Sequence, residues 1–134
     1  MLGSPSSFRL MLEVLHMLSP VLCSRTEPTL GAVILTVSGP LTTTDHIAGL
    51  QYALDTVPRG FSLIIEMDEM TTLSTAGLRG LRELANAAIR EGVRLIIVSE
   101  SLDVRANLIL SDLDSLAPIL HNLAQARQIV AAAA

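Results

Sequence analysis

The stretch Thr71-Thr-Leu-Ser-Thr75, running into Ala76-Gly77-Leu78, places four hydroxyl side chains within five residues. It reads as a hydroxyl-rich loop ahead of a helix. At a helix start the first backbone N–H groups lack partners and the dipole is positive, so Ser74 and Thr75 have two uses there. One is as an N-cap, typically worth about 1 kcal/mol. The other is as an acceptor of phosphate, a group that such a terminus favours. Just upstream, Glu66, Asp68 and Glu69 form an acidic rim. A phosphate adds roughly −1.5 to −2 charge at pH 7, and beside these acids it would empty a fitted interface without unfolding the domain.

Other chemistry finds less support. His16, His46 and His121 are the general-base candidates of neutral pKa, and none has company. His46 follows Asp45 in the first turn of a helix, where the carboxylate serves the cap and the dipole. His121 falls at a strand-to-helix junction. The acidic trio, read as loop positions, does not converge on a cation without further ligands. Gly77-x-x-Gly80 lies inside a helix and permits close packing rather than cradling phosphate. Cys23 stands alone on a strand, where a small buried hydrophobe is its commonest role. No catalytic centre, metal site or cofactor site is expected. Arg79 and Arg82, on the outer face of the helix, are either solvated or turned toward a partner's acids.

The elements that position the hydroxyls follow from periodicity. Val21–Thr26 and Ala32–Ser38 read as a β-hairpin across the turn Glu27-Pro-Thr-Leu-Gly31, with Gly39-Pro40 ending the second strand. Thr42, Thr43, Thr44 and Asp45 offer N-caps to a helix with Ile47, Leu50 and Leu54 inward, stopped by Pro58-Arg-Gly60. Residues 61–67 form a strand apolar on both faces. The clearest helix, 77–91, carries the stripe Leu78, Leu81, Leu84, Ala85, Ala88 and Ile89, and Gly92 ends it. Residues 93–99 make another buried strand, and a helix opened by Ser101 turns Val104, Leu108 and Ile109 inward. Leu116–Leu120 is a short strand or extended link, and Asn122 caps a last helix that frays at the terminal alanines. Such alternation predicts an α/β fold. Its sheet is mixed, mostly parallel and four- to five-stranded, with helices packed on it and an N-terminal β-hairpin.

Composition sets the outer limits. The chain has 134 residues, net charge −4, no Trp and one Cys, and half of its residues are hydrophobic, which fits one domain with an aliphatic core. All nine basic residues are Arg and they are dispersed among thirteen acids, so no stripe suited to nucleic acid arises. A single Cys forms no internal disulfide. The apolar run Phe8–Leu18 is broken by Glu13 and His16 and is shorter than the roughly 20 residues a membrane span requires. Leu22 stands where a lipobox needs a small residue. Residues 1–19 are therefore expected to be a leader or extra element, 20–131 the domain, and 132–134 a frayed end, in a cytoplasmic protein without membrane insertion.

Residues 20–131 resemble the STAS domain, the fold of bacterial anti-sigma factor antagonists. Gly39-Pro-Leu-Thr42 stands where that family shows Gly-x-Leu-Asp at a strand end, and Ile65-Glu66 where it shows Leu-Asp. Ser74-Thr-Ala-Gly-Leu78 matches its Asp-Ser-Ser/Thr-Gly-Leu signature. Glu91–Val98 resembles its Ala-Gly-Gly-x-Leu-x-Leu-Val run, Ser101–Leu110 its Ser-Pro-x-Val-Arg-x-x-Leu helix, and Leu113-Asp-Ser-Leu116 completes the order. The resemblance implies that Thr75 is phosphorylated by a kinase-type anti-sigma factor, which the unmodified domain binds and the phosphorylated domain releases. It also implies a partner surface of Thr42, Thr43, Ser74, Thr75, Ala76, Gly77, Arg79 and Arg82. A monomer or weak homodimer is expected.

Two departures bear on that reading. Thr42 and Ser74 replace the two aspartates that the family pattern places near the acceptor, so negative charge is lost twice. The modification then falls on Thr75, moves to Ser74, or is absent in a constitutive binder. Ala76 also fits the signature of the STAS subunit of phospholipid-transporting ABC complexes, which stands as an alternative.

Overall fold

The computed structural model describes residues 21–42 and 44–133. In chain order the elements are β1 (Val21–Glu27), β2 (Ala32–Leu41), α1 (Thr44–Asp55), β3 (Ser62–Leu73), α2 (Thr75–Glu91), β4 (Arg94–Val98), α3 (Leu102–Leu110), a 3-10 turn (Leu113–Ser115), β5 (Ile119–Leu120) and α4 (Leu123–Ala133). The expected leader, residues 1–19, lies outside the described residues.

The five described strands lie in one sheet in the order β1-β2-β3-β4-β5, the order of the chain itself. β1 and β2 form the expected antiparallel hairpin, and every later pair is parallel. Successive crossovers of one hand return to the same side of a sheet. Accordingly α1, α2 and α3 share one face, where Val33, Leu35, Leu63, Ile65, Leu95 and Ile97 meet Ile47, Leu50, Leu81, Leu84 and Leu108. Among the described residues α4, which follows β5, is the one helix on the other face, with Ala126 and Val130 on Ile34, Ile64 and Ile96. Strands buried on both sides explain the near-continuous apolar runs at 63–65 and 95–98.

Two strands run past their expected ends. Gly39-Pro40 does not stop β2, because two register shifts against β3, at Thr36/Ser38 and Gly39/Pro40, absorb a proline that cannot donate to the ladder. Pairing then resumes through Leu41↔Leu73. For the same reason Thr71–Leu73 is strand rather than loop, and Ser74 alone links β3 to α2. Glu66, Asp68 and Glu69 likewise sit on β3 instead of a loop.

The α2 stripe holds at Leu81, Leu84, Ala85 and Ala88, whereas Ile89, turned one helical position off that stripe, is 57% exposed. Gly92 ends the helix at φ 71°, the left-handed conformation that favours glycine. Ser101 and Asn122 accept from the Val104 and Gln125 N–H groups, as expected of caps. On α3, Leu108 is buried but Ile109 is half exposed. Cys23 is exposed rather than buried. It pairs with Thr36 on β2, beyond the part of that face that α4 covers.

Candidate functional site

The junction of β3 and α2 is built from backbone upward. Gly77 lets the first turn of α2 press against β2: a Cβ there would stand 2.1 Å from the Leu41 carbonyl oxygen. Gly80 does the same one turn later, where a Cβ would stand 2.1 Å from Cγ1 of Ile47 on α1. The pair thus permits close approach, as the sequence predicts for Gly77-x-x-Gly80. The Ser74 N–H donates to the Leu41 carbonyl at 3.2 Å, so the chain leaves β3 pinned to the end of β2.

The two neighbouring hydroxyls have different surroundings. Ser74 is the N-cap: its Oγ accepts from the Gly77 N–H at 3.1 Å and donates to the Thr42 carbonyl at 3.0 Å. Both capacities of that part-buried hydroxyl are in use. Thr75 is the first residue of α2 and is exposed. It lines an open hollow of about 350 Å³ together with Leu78, Arg79, Arg82 and Ser111. Arg82 donates to the Ser111 carbonyl, which fastens α2 to the turn after α3. Arg79 is exposed on the same wall. Ala76 and Gly77 complete the first turn, which carries no acid. Thr42 is half-buried at the end of β2, while Thr43 and the side chains of Asp45 and His46 lie outside the described residues.

The expected acidic rim does not surround Thr75. Glu66 and Asp68 alternate with Ile64 and so project from the sheet face on which α4 packs, opposite to α2. Glu69 follows a register shift and returns to that face beside Ser38, whose hydroxyl donates to Glu69 Oε2 at 2.7 Å. Asp68 accepts from the Glu100 N–H at 2.6 Å and so steadies the link between β4 and α3. Among the described residues no three His, Cys, Asp or Glu side chains gather as a metal site. The charge at the Thr75 hollow is therefore cationic, supplied by Arg79 and Arg82.

Ser111 was not singled out by sequence reasoning. Its carbonyl meets Arg82 across 29 residues of chain, and no local pattern signals such a contact. Arg105, part of the Ser101–Leu110 pattern, donates to the Ser99 carbonyl at 2.6 Å and orients α3 on the end of β4. Two larger hollows, about 540 and 440 Å³, flank the Pro28–Leu30 turn at the other end of the sheet and bring no reactive cluster together.

A model of the STAS domain matches residues 25–126. The chain belongs to the STAS domain family. Several solved structures share its fold. An anti-sigma factor antagonist from Mycobacterium paratuberculosis aligns at TM-score 0.63 and 21% identity over 96% of this chain and 98% of that one. The Bacillus cell fate determinant SpoIIAA, in its phosphorylated form, aligns at 0.59 and 12% over 82% and 99%. The murine anion transporter Solute Carrier 26 family member A9 aligns at 0.69 and 13% over 94% of this chain and 24% of the transporter. No curated protein matches the chain. Within the STAS fold, the Ser74–Leu78 signature occupies the turn from the third strand into the second helix, beside the end of β2.

Proposed function

We propose that this STAS domain is an anti-sigma factor antagonist that binds a kinase-type anti-sigma factor and is switched by phosphorylation of Thr75. The observation that carries the reading is the division of labour at the β3–α2 junction. Ser74 Oγ is consumed in capping, while the Thr75 hydroxyl stands exposed at the open hollow. The fold shared with an anti-sigma factor antagonist along almost the whole length of both chains supports the same reading. The kinase would transfer the γ-phosphoryl of ATP to Thr75 Oγ1, releasing ADP and the hydroxyl proton. The domain itself acts as a binding module in a cytoplasmic setting, and its partner surface is Thr42, Thr43, Ser74, Thr75, Ala76, Gly77, Arg79 and Arg82.

Incubation with the partner kinase and ATP, followed by peptide mass spectrometry, tests the assignment. Phosphate on Thr75 is expected. A chain that stays unmodified would make it a constitutive binder, and phosphate on Ser74 alone would overturn the choice of acceptor. Ala76 and the fold likeness to transporter STAS domains favour a second reading, a STAS module attached to a membrane transporter. Co-purification separates the two, since a soluble kinase-fold partner supports the first and a transporter the second.

A further inference from the structure

We propose that a phosphate on Thr75 is held by the guanidinium of Arg79 across the hollow between α2 and the turn that follows α3. The inference rests on the reading of Thr75 as phosphoacceptor and concerns what this chain does with the phosphate. Thr75 and Arg79 stand four residues apart on α2. Helical Cα–Cβ bonds tilt toward the N-terminus, so the side chain at i+4 reaches back over residue i. An anion at i with a cation at i+4 is also the favourable order for such a pair. Both side chains line the same hollow. Arg79 makes no ion pair or hydrogen bond among the described residues, whereas Arg82 is committed to the Ser111 carbonyl. The first turn of α2 brings no carboxylate to compete. Guanidinium–phosphate pairs are charge-assisted and frequently bidentate, which suits a fork reaching over a single phosphate.

The switch that results differs from simple repulsion. In the unmodified domain Arg79 is open to a carboxylate of a partner. In the phosphorylated domain the same guanidinium is occupied from within, and the partner loses its cation. Arg79 and Arg82 are the titratable side chains lining the hollow, and Asp112 on the adjoining turn is exposed.

Installing phosphothreonine at position 75 of the full chain by an expanded genetic code tests this without any kinase. The phosphate's second ionisation, ordinarily near pH 6, is followed by phosphorus NMR. In the native sequence it is expected at least about 0.5 pH unit below its value in Arg79→Gln, roughly a threefold difference in proton affinity. Arg90→Gln, at the far end of α2, should leave it unchanged. Equal values in the native and Arg79→Gln chains, or an equal rise in Arg90→Gln, would overturn the clamp. Failure to find a kinase or anti-sigma partner would instead overturn the function proposed above and leave this result standing.

Discussion

The Ser74 hydroxyl serves two partners at once, and Ser74→Ala removes both the Gly77 N–H acceptor and the donor to Thr42. Loss of the cap should cost about 1 kcal/mol, read as a lower midpoint in denaturant. Ser74→Thr, which keeps a hydroxyl, should recover most of it. Unchanged stability of Ser74→Ala would show that the cap is dispensable. Thr75 is the opposite case, because its exposed hydroxyl caps nothing. Thr75→Glu should leave the fold intact and weaken binding to the proposed anti-sigma partner by at least about tenfold, or roughly 1.4 kcal/mol. Equal calorimetric affinities of the native and variant chains would contradict it. The sequence already showed two hydroxyls at a helix start. Which one caps follows from where the helix begins, and that depends on β3 running on to Leu73.

At the level of elements, α2 sits where it does because two of its residues lack a Cβ. Gly77→Ala places a methyl against a backbone carbonyl, which cannot rotate away, while Gly80→Ala meets an Ile47 side chain that has some freedom. Overpacking typically costs about 1–3 kcal/mol, against which alanine regains about 1 kcal/mol of helix propensity. Gly77→Ala should therefore be the more destabilising of the two and should displace Ser74 and Thr75 with the helix. Thermal unfolding of both variants in parallel checks the order. A stability gain in Gly77→Ala would refute the close approach. Helices and buried strands were legible because their apolar periods are strong, as at Leu81, Leu84 and Ala88. The ends of β2 and β3 were not, since Gly39-Pro40 and Thr71-Thr72 locally favour a stop and only parallel pairing across register shifts carries them on. The hollow was illegible for a different reason: one of its walls, Ser111, comes from a separate crossover.

Across the whole molecule, one contact ties the first described strand to the last helix. Arg127 grips Glu27 through both carboxylate oxygens, at 2.5 and 3.2 Å. That side-chain hydrogen bond, reinforced by the charges of Arg127 and Arg25, holds the Glu27 carboxyl below its ordinary value. A carboxyl whose pKa is depressed in the folded state adds stability above its unfolded pKa and loses it as the pH falls through the folded value. Glu27→Gln should thus lower the melting temperature slightly at neutral pH, and the difference should vanish in acid below the ordinary carboxylate range. The effect is small because the pair is exposed to solvent. A difference that persists in acid would assign it to packing instead of charge.

The strands are laid side by side in the order in which they are made. Each new strand therefore finds its neighbour already in place as the chain leaves the ribosome, and no pairing has to wait for a segment still to be synthesised. Short-range pairing of this kind shortens the loops that must close. The exception is the face of Ile34, Ile64 and Ile96, whose covering helix among the described residues, α4, follows every strand in the chain. A chain halted before residue 123 would complete the sheet and the Thr75 hollow while lacking the Ala126 and Val130 side chains that pack on that apolar face. Premature termination in this protein should accordingly be read out as aggregation of an otherwise formed domain.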